Sequence, residues 1–199
     1  MGRRSSRPDH FARRAKQEGK AARSIYKLEE IDRRWQVIGR SGRVLDLGCA
    51  PGSWMQYAAN KVGSNGEVLG FDLKEVAVSL PSHAEARVGD VYELKDADLG
   101  APFDTVLSDM APSTMGDHKT DAARSASLAE SALAIADAHL RSGGCFVVKV
   151  LEGGDVPALV ADMRRRFAEV ERLSPKASRK GSTELFLIGL HKHPGSSGK

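Results

Sequence analysis

The 199-residue chain has only two cysteines, Cys49 and Cys145, with no regular spacing. That excludes a disulfide scaffold and fits a reducing compartment. No apolar run approaches the roughly 20 residues that a membrane-spanning helix needs. The basic start MGRRSSRPDHFARRAKQEGK has no hydrophobic segment behind it, which excludes a secretory signal. Its Arg and Ser content would suit an organellar transit peptide, but Asp9 and Glu18 weigh against that, and a cytoplasmic protein is expected. Aromatic residues make up 6% of the chain, too few for an extensive base-stacking platform. The six histidines are scattered, and His191 and His193 sit near the end, so no metal site is expected. The Gly-x-Gly-x-x-Gly turn of dinucleotide binders is also missing.

What the chain does have is segregated charge. Residues 1–23 carry eight Lys/Arg against two acids, a net +6. Residues 24–163 sum to −8, and residues 164–199 return to +6. Basic ends on an acidic body suit contact with a polyanion, although solubilising tails would look the same. The division expected is a flexible basic arm over 1–23, one catalytic domain over 24–190, and a disordered tail over 191–199.

Hydrophobic periodicity supplies the elements. SIYKLEEIDRRW (24–35) is an amphipathic helix, with Ile25, Leu28 and Ile31 on one face and Lys27 beside them. RVLDLGCAPGSW (43–54) is a strand, a glycine-bearing turn and the start of a helix reaching about Val62. Further strands are predicted at 67–72, 85–90, 103–109, 145–150, 167–173 and 183–190. Helices are predicted from Thr120 to about Leu140, capped by Thr120 or Asp121, and over Val156–Arg166. The alternation predicts an α/β fold, a mostly parallel sheet with helices on both faces. No helix separates the last two strands, which predicts an antiparallel finish.

In such sheets, ligands sit beyond the carboxyl ends of the strands. The first four strands each bring an acid to that edge: Asp46, Asp72, Asp90 and Asp109. Asp72 follows Asp46 by 26 residues, a placement suited to ribose hydroxyls. So many carboxylates would repel a pyrophosphate and tolerate a cation. S-adenosylmethionine, a sulfonium without phosphate, therefore fits better than a dinucleotide. Any one of these acids could be a simple turn residue; four in register make that a poor explanation for the set.

Lys149 stands in the apolar run CFVVKV (145–150), where an unpaired ammonium is costly. A lone strand lysine usually snorkels to an edge. Three other residues argue for use instead: Lys27, Asp109 at the end of the fourth strand, and Glu184 at the start of the seventh. If the seventh strand inserts beside the fifth, Glu184 reaches the same edge.

The ordered series ARSIYKLEEID, DLGCAPGSW, SDMAP, FVVKV and TELFLIG, spanning about Arg23 to Leu190, resembles the FtsJ/RlmE-like RNA 2′-O-ribose methyltransferases. The resemblance implies a Rossmann-like, seven-stranded methyltransferase fold that binds S-adenosylmethionine. It implies a Lys–Asp–Lys–Glu tetrad at Lys27, Asp109, Lys149 and Glu184, with Lys149 as proton acceptor. It also implies cofactor contacts at Gly52, Trp54, Asp72, Asp90 and Asp109. The implied substrate is a uridine ribose in the aminoacyl-site loop of 23S ribosomal RNA, within the large ribosomal subunit, and the enzyme is expected to be monomeric. Cys49 and Ser53 depart from the smaller residues common in that turn, and Asp90 follows a short connection.

Rival classes fit less well. A methyltransferase for base amines would carry an aromatic-ended, proline-rich motif where this chain has Asp109-Met-Ala-Pro112. A small-molecule or protein methyltransferase has no need of basic ends. A non-enzymatic RNA-binding module has no reason to keep the tetrad together.

Overall fold

The computed structural model describes residues 10–17, 22–112, 116–153, 155–177 and 183–195. Residues 1–9, 18–21 and 196–199, which belong to the expected arm and tail, lie outside that set. Short helix α1 (His10–Gln17) precedes α2 (Ile25–Trp35). The core then runs β1 (Arg43–Leu47), α3 (Ser53–Val62), β2 (Glu67–Asp72) and β3 (Ala84–Val88). A 3₁₀ turn (Val91–Glu93) and α4 (Asp96–Leu99) lead to β4 (Phe103–Ser108) and the long α5 (His118–His139). The chain finishes with β5 (Leu140–Leu151), α6 (Val156–Arg166), β6 (Phe167–Leu173) and β7 (Glu184–Lys192).

These strands form one sheet in the order β3-β2-β1-β4-β5-β7-β6. β1 to β5 pair in parallel, while β7 is antiparallel to both β5 and β6. The expected antiparallel finish is thus an insertion: β7 enters between its neighbours. Central strands have apolar residues on both faces, as a sheet covered on both sides requires. Leu45, Leu47, Val106, Val148 and Leu187 pack with α5 and α6 on one face. Val44, Leu107, Val147, Phe186 and Ile188 pack with α2 and α3 on the other. Among the described residues, no helix is long and apolar enough to cross a membrane.

Several boundaries differ from those read in the sequence. α5 starts at His118, capped by the Asp117 carboxylate, which accepts the Thr120 N–H at 3.0 Å. Asp121, expected as a cap, is buried and accepts the Gly116 N–H at 3.3 Å. β5 begins at Leu140, because α5 passes directly into it, not at Cys145. β7 takes in His191 and Lys192, which the expected tail had claimed. Lys192 is buried, and its Nζ donates to the α5 carbonyl of Asp137 and, at 3.0 Å, to that of Leu140. Burial lowers its pKa below the ordinary lysine value.

The exit from α2 is set by Asp32. Its buried carboxylate accepts the Ile38 N–H at 3.0 Å and the Tyr57 hydroxyl at 2.7 Å, and pairs with Lys61 at 2.8 Å. One side chain therefore satisfies the turn after α2 and ties it to α3. Removing a buried hydrogen-bonded charge typically costs ~3–5 kcal/mol. Asp32→Ala is expected to lose about 3 kcal/mol in urea unfolding; a loss below ~1 kcal/mol would show that the turn holds without it.

Candidate active site

Strand register brings the site together. Asp46 pairs with Leu107, Leu107 with Val147, and Val147 with Ile188, making one row across four strands. Side chains alternate between faces every residue, so two residues on, the next row lies on the same face. That row holds Gly48, Asp109, Lys149 and Phe186, and Lys149 is directly opposite Phe186. Glu184 lies two residues before Phe186, opposite Leu151, at the carboxyl edge of β5. This is the face that carries α2, and with it Lys27.

The four tetrad residues form two ion pairs. Lys27 Nζ donates to Glu184 Oε2 at 2.7 Å. Lys149 Nζ stands 2.9 Å from Asp109 Oδ1 and donates to the Asp109 backbone carbonyl at 2.5 Å. The carboxylate contact is a close charge pair without hydrogen-bond alignment. Lys27 is 4% exposed and Lys149 7%, so pairing offsets a substantial desolvation cost for both. Phe186 lies between the pairs: Lys27 Nζ is 5.7 Å from its ring centroid.

Asp109 also faces a cleft of about 420 Å³ at the carboxyl ends of β1, β2 and β4. Asp72 and Asp90 line it, with Phe71, Leu73, Val91, Tyr92, Met110 and Leu128 supplying apolar surface. The Asp72 carboxylate accepts backbone N–H groups from Ala50 and Lys74, each at 2.9 Å. Each oxygen keeps a second lone pair, so the fixed carboxylate can accept two hydroxyls. Asp90 sits two residues beyond the end of β3, not on it, and caps the 3₁₀ turn by accepting the Tyr92 N–H at 3.0 Å. Lys74 is the one basic residue in the lining. The volume, the apolar walls and the three carboxylates suit a nucleoside bearing a positive charge, and S-adenosylmethionine fits that description.

Gly52 and Trp54 do not line this cleft. Gly52 has φ +108°, and a Cβ there would strike Val76 and Val78, so glycine is required by packing and conformation together. Trp54 is 2% exposed and faces the core. Tyr92 and Met110 line the cleft and were missed in the sequence; their position just after the strand-end acids was the available signal.

The described part of the basic run from Arg164 to Lys180 divides between two edges. α6 leaves the carboxyl edge of β5 and ends where β6 begins, at the opposite edge, so Arg164–Arg166 stand away from the site. Arg165 pairs with Asp162, and Arg166 with Asp162 and with Asp137 at 2.9 Å. Lys176, after β6, is on the site edge, and its backbone N–H is held by Glu30 of α2 at 3.0 Å. Residues 178–182 lie outside the described set.

The chain matches the FtsJ-like methyltransferase family over residues 21–192. It is 48% identical over 187 residues to ribosomal RNA large subunit methyltransferase E of Nitratidesulfovibrio vulgaris (strain DP4), covering 92% of each chain. It is 42% identical over 191 residues to the protein of that name in Desulfatibacillum aliphaticivorans, covering 94% of this chain and 92% of the other. A ribosomal RNA methyltransferase of Plasmodium falciparum shares its fold, with a TM-score of 0.75, 24% identity, and coverage of 86% of this chain and 98% of that one. The chain belongs to the FtsJ-like methyltransferase family.

In this FtsJ-like chain, Asp46 lies beneath the acid cleft. It is fully buried, and neither carboxyl oxygen has a hydrogen-bond partner among the described residues. Burial, then the charges of Asp109 and Asp72, raise its pKa well above the ordinary 3.8. The same burial, with Asp46 and Asp72 nearby, pushes the Cys49 thiol up, so it stays protonated and is no nucleophile. Asp46 therefore takes up a proton on folding. Its contribution to stability is complete below 3.8 and is lost as pH rises through the higher folded value. Asp46→Asn, which cannot ionise, should gain stability over the parent as pH climbs from 4 to 7, by about 1.4 kcal/mol per pH unit at most. Parallel stability curves for the two proteins would show that Asp46 is not protonated by folding.

Proposed function

We propose that this protein methylates a ribose 2′-hydroxyl of RNA from S-adenosylmethionine, at a uridine in the aminoacyl-site loop of 23S ribosomal RNA. One observation carries the reading: Lys149, buried in a strand, is paired to an acid that also faces the nucleoside-sized cleft. The family match and the names of the large-subunit relatives support the substrate. When bound, S-adenosylmethionine supplies a methyl group on an electron-poor sulfur.

A ribose hydroxyl is a poor nucleophile while it keeps its proton, so a positioned acceptor is needed. Lys149 is placed to be that acceptor. A neutral amine retains two N–H groups and one lone pair. The Asp109 carbonyl takes one N–H, and the lone pair of the neutral amine is the group that would meet the incoming hydroxyl. Lys27, fixed by Glu184, presents a positive charge on the same face and holds the ribose or its neighbouring phosphate. Asp72 and Asp90 orient the nucleoside end of the donor, and the apolar walls exclude water.

The surface beside the site suits a phosphate backbone. α1 packs on Tyr26 through Phe11, with ring centroids 5.7 Å apart, and Arg14 lies 4.8 Å over the Tyr26 ring. Exposed Arg13, and Lys176 from the β6–β7 connection, extend this basic surface. Such contacts position RNA without reading its sequence.

Incubation with S-adenosylmethionine and large ribosomal subunits from a strain lacking the modification should produce a single new 2′-O-methyl uridine in mapped 23S RNA. Methylation only of a base would refute the assignment. Lys149→Ala should lower turnover roughly a thousandfold and leave cofactor affinity within about twofold. Asp72→Ala should weaken S-adenosylmethionine binding by about tenfold to a hundredfold in calorimetry; unchanged affinity would confine Asp72 to holding the Ala50 and Lys74 turn.

A further inference from the structure

Trp54 follows the glycine turn of the cofactor half, yet its side chain turns the other way. The indole N–H donates to the Ser24 backbone carbonyl at 2.9 Å. That carbonyl also accepts the backbone N–H of Lys27 at 3.0 Å. One oxygen, using both lone pairs, therefore links Trp54 directly to the first turn of the helix that carries Lys27. Next to it, the Ser24 and Ser53 hydroxyls are hydrogen-bonded at 2.7 Å, and Ser24 makes no side-chain cap on its own helix. α2 is thus anchored to α3 at its first turn.

The opposite side of the indole meets Phe186, with ring centroids 5.8 Å apart. Phe186 is fully buried, stands opposite Lys149 in the β5–β7 pairing, and lies beneath the Lys27 ammonium. Trp54 thus touches both the carbonyl that anchors the α2 turn and the ring that lies under the Lys27 ammonium and opposite Lys149 in the strand pairing.

We propose that Trp54 is a positioning residue for the two lysines, acting through Ser24 and Phe186, and that its side chain does not meet the cofactor. The proposal rests on the reading that these lysines serve methyl transfer. The placement of Lys27 can be measured without that reading. Trp54→Phe keeps an aromatic ring and removes the indole N–H, leaving the part-buried Ser24 carbonyl short of one donor.

The test labels the protein alone with an amine-reactive ester and follows Lys27 by mass spectrometry. It also measures S-adenosylhomocysteine affinity, kcat and Tm for the parent, Trp54→Phe and Lys149→Ala. In Trp54→Phe, Lys27 labelling should rise and kcat should fall, each roughly tenfold, the scale of one lost buried hydrogen bond. Cofactor affinity should stay within about twofold. Unchanged Lys27 labelling overturns the proposal whatever happens to turnover. Weakened cofactor affinity with Lys27 still protected would make Trp54 a cofactor contact and overturn it too. Full turnover by Lys149→Ala would refute the catalytic reading instead, while the labelling result would still decide the placement of Lys27. Should Trp54→Phe not fold, the Trp35→Phe protein leaves Trp54 as its one indole. Its N–H signal should exchange slowly and keep its chemical shift when S-adenosylhomocysteine is added; a ligand-induced shift would overturn the proposal.

Discussion

The antiparallel insertion of β7 between β5 and β6 is the constraint on which the site depends. A strand running against β5 begins where β5 ends, at the carboxyl edge of the sheet. Glu184, the first residue of β7, is therefore delivered to the edge where Lys149 and Asp109 already stand. A parallel β7 would start at the other edge, and Lys27 would lose the carboxylate now 2.7 Å away. Because breaking a buried pair leaves an uncompensated charge, at a cost of about 3–5 kcal/mol, the topology and the tetrad support each other.

The site also separates two electrostatic jobs. The lysine half contains two amines and two carboxylates and is close to neutral as a unit. The cleft half is acidic, with Asp72 and Asp90 joined by Asp109 at the boundary. Asp46 lies directly below, and burial, with its acidic neighbours, raises its pKa, which favours the uncharged form there.

Local pattern made much of this readable from residues alone. Apolar runs ending in acids marked β1, β2 and β4, and the row of carboxylates followed from one rule about where parallel sheets bind ligands. Lys149 was visible because a charge in the run 145–150 contradicts its surroundings. Pairing was less legible, since it depends on contacts such as Lys27 to Glu184 that lie 157 residues apart. Local capping also misled: Thr120 looked like a helix cap but is the residue whose N–H is capped by Asp117. The predicted strand began only at Cys145, yet β5 takes in Arg141–Gly144 as well. Trp54 shows the limit most clearly. The family resemblance implied a cofactor contact there, and only the three-dimensional path of α2 shows what its side chain touches.

Asp109 is the one tetrad acid that faces both halves, and this couples them. Its carboxylate is the nearest negative charge to Lys149, at 2.9 Å. A positive charge entering the cleft at the same carboxylate would compete for that field and would itself repel an ammonium. The buried pair fixes Lys149 at the boundary, so the tetrad and the cleft share one carboxylate and a change in either half is felt by the other.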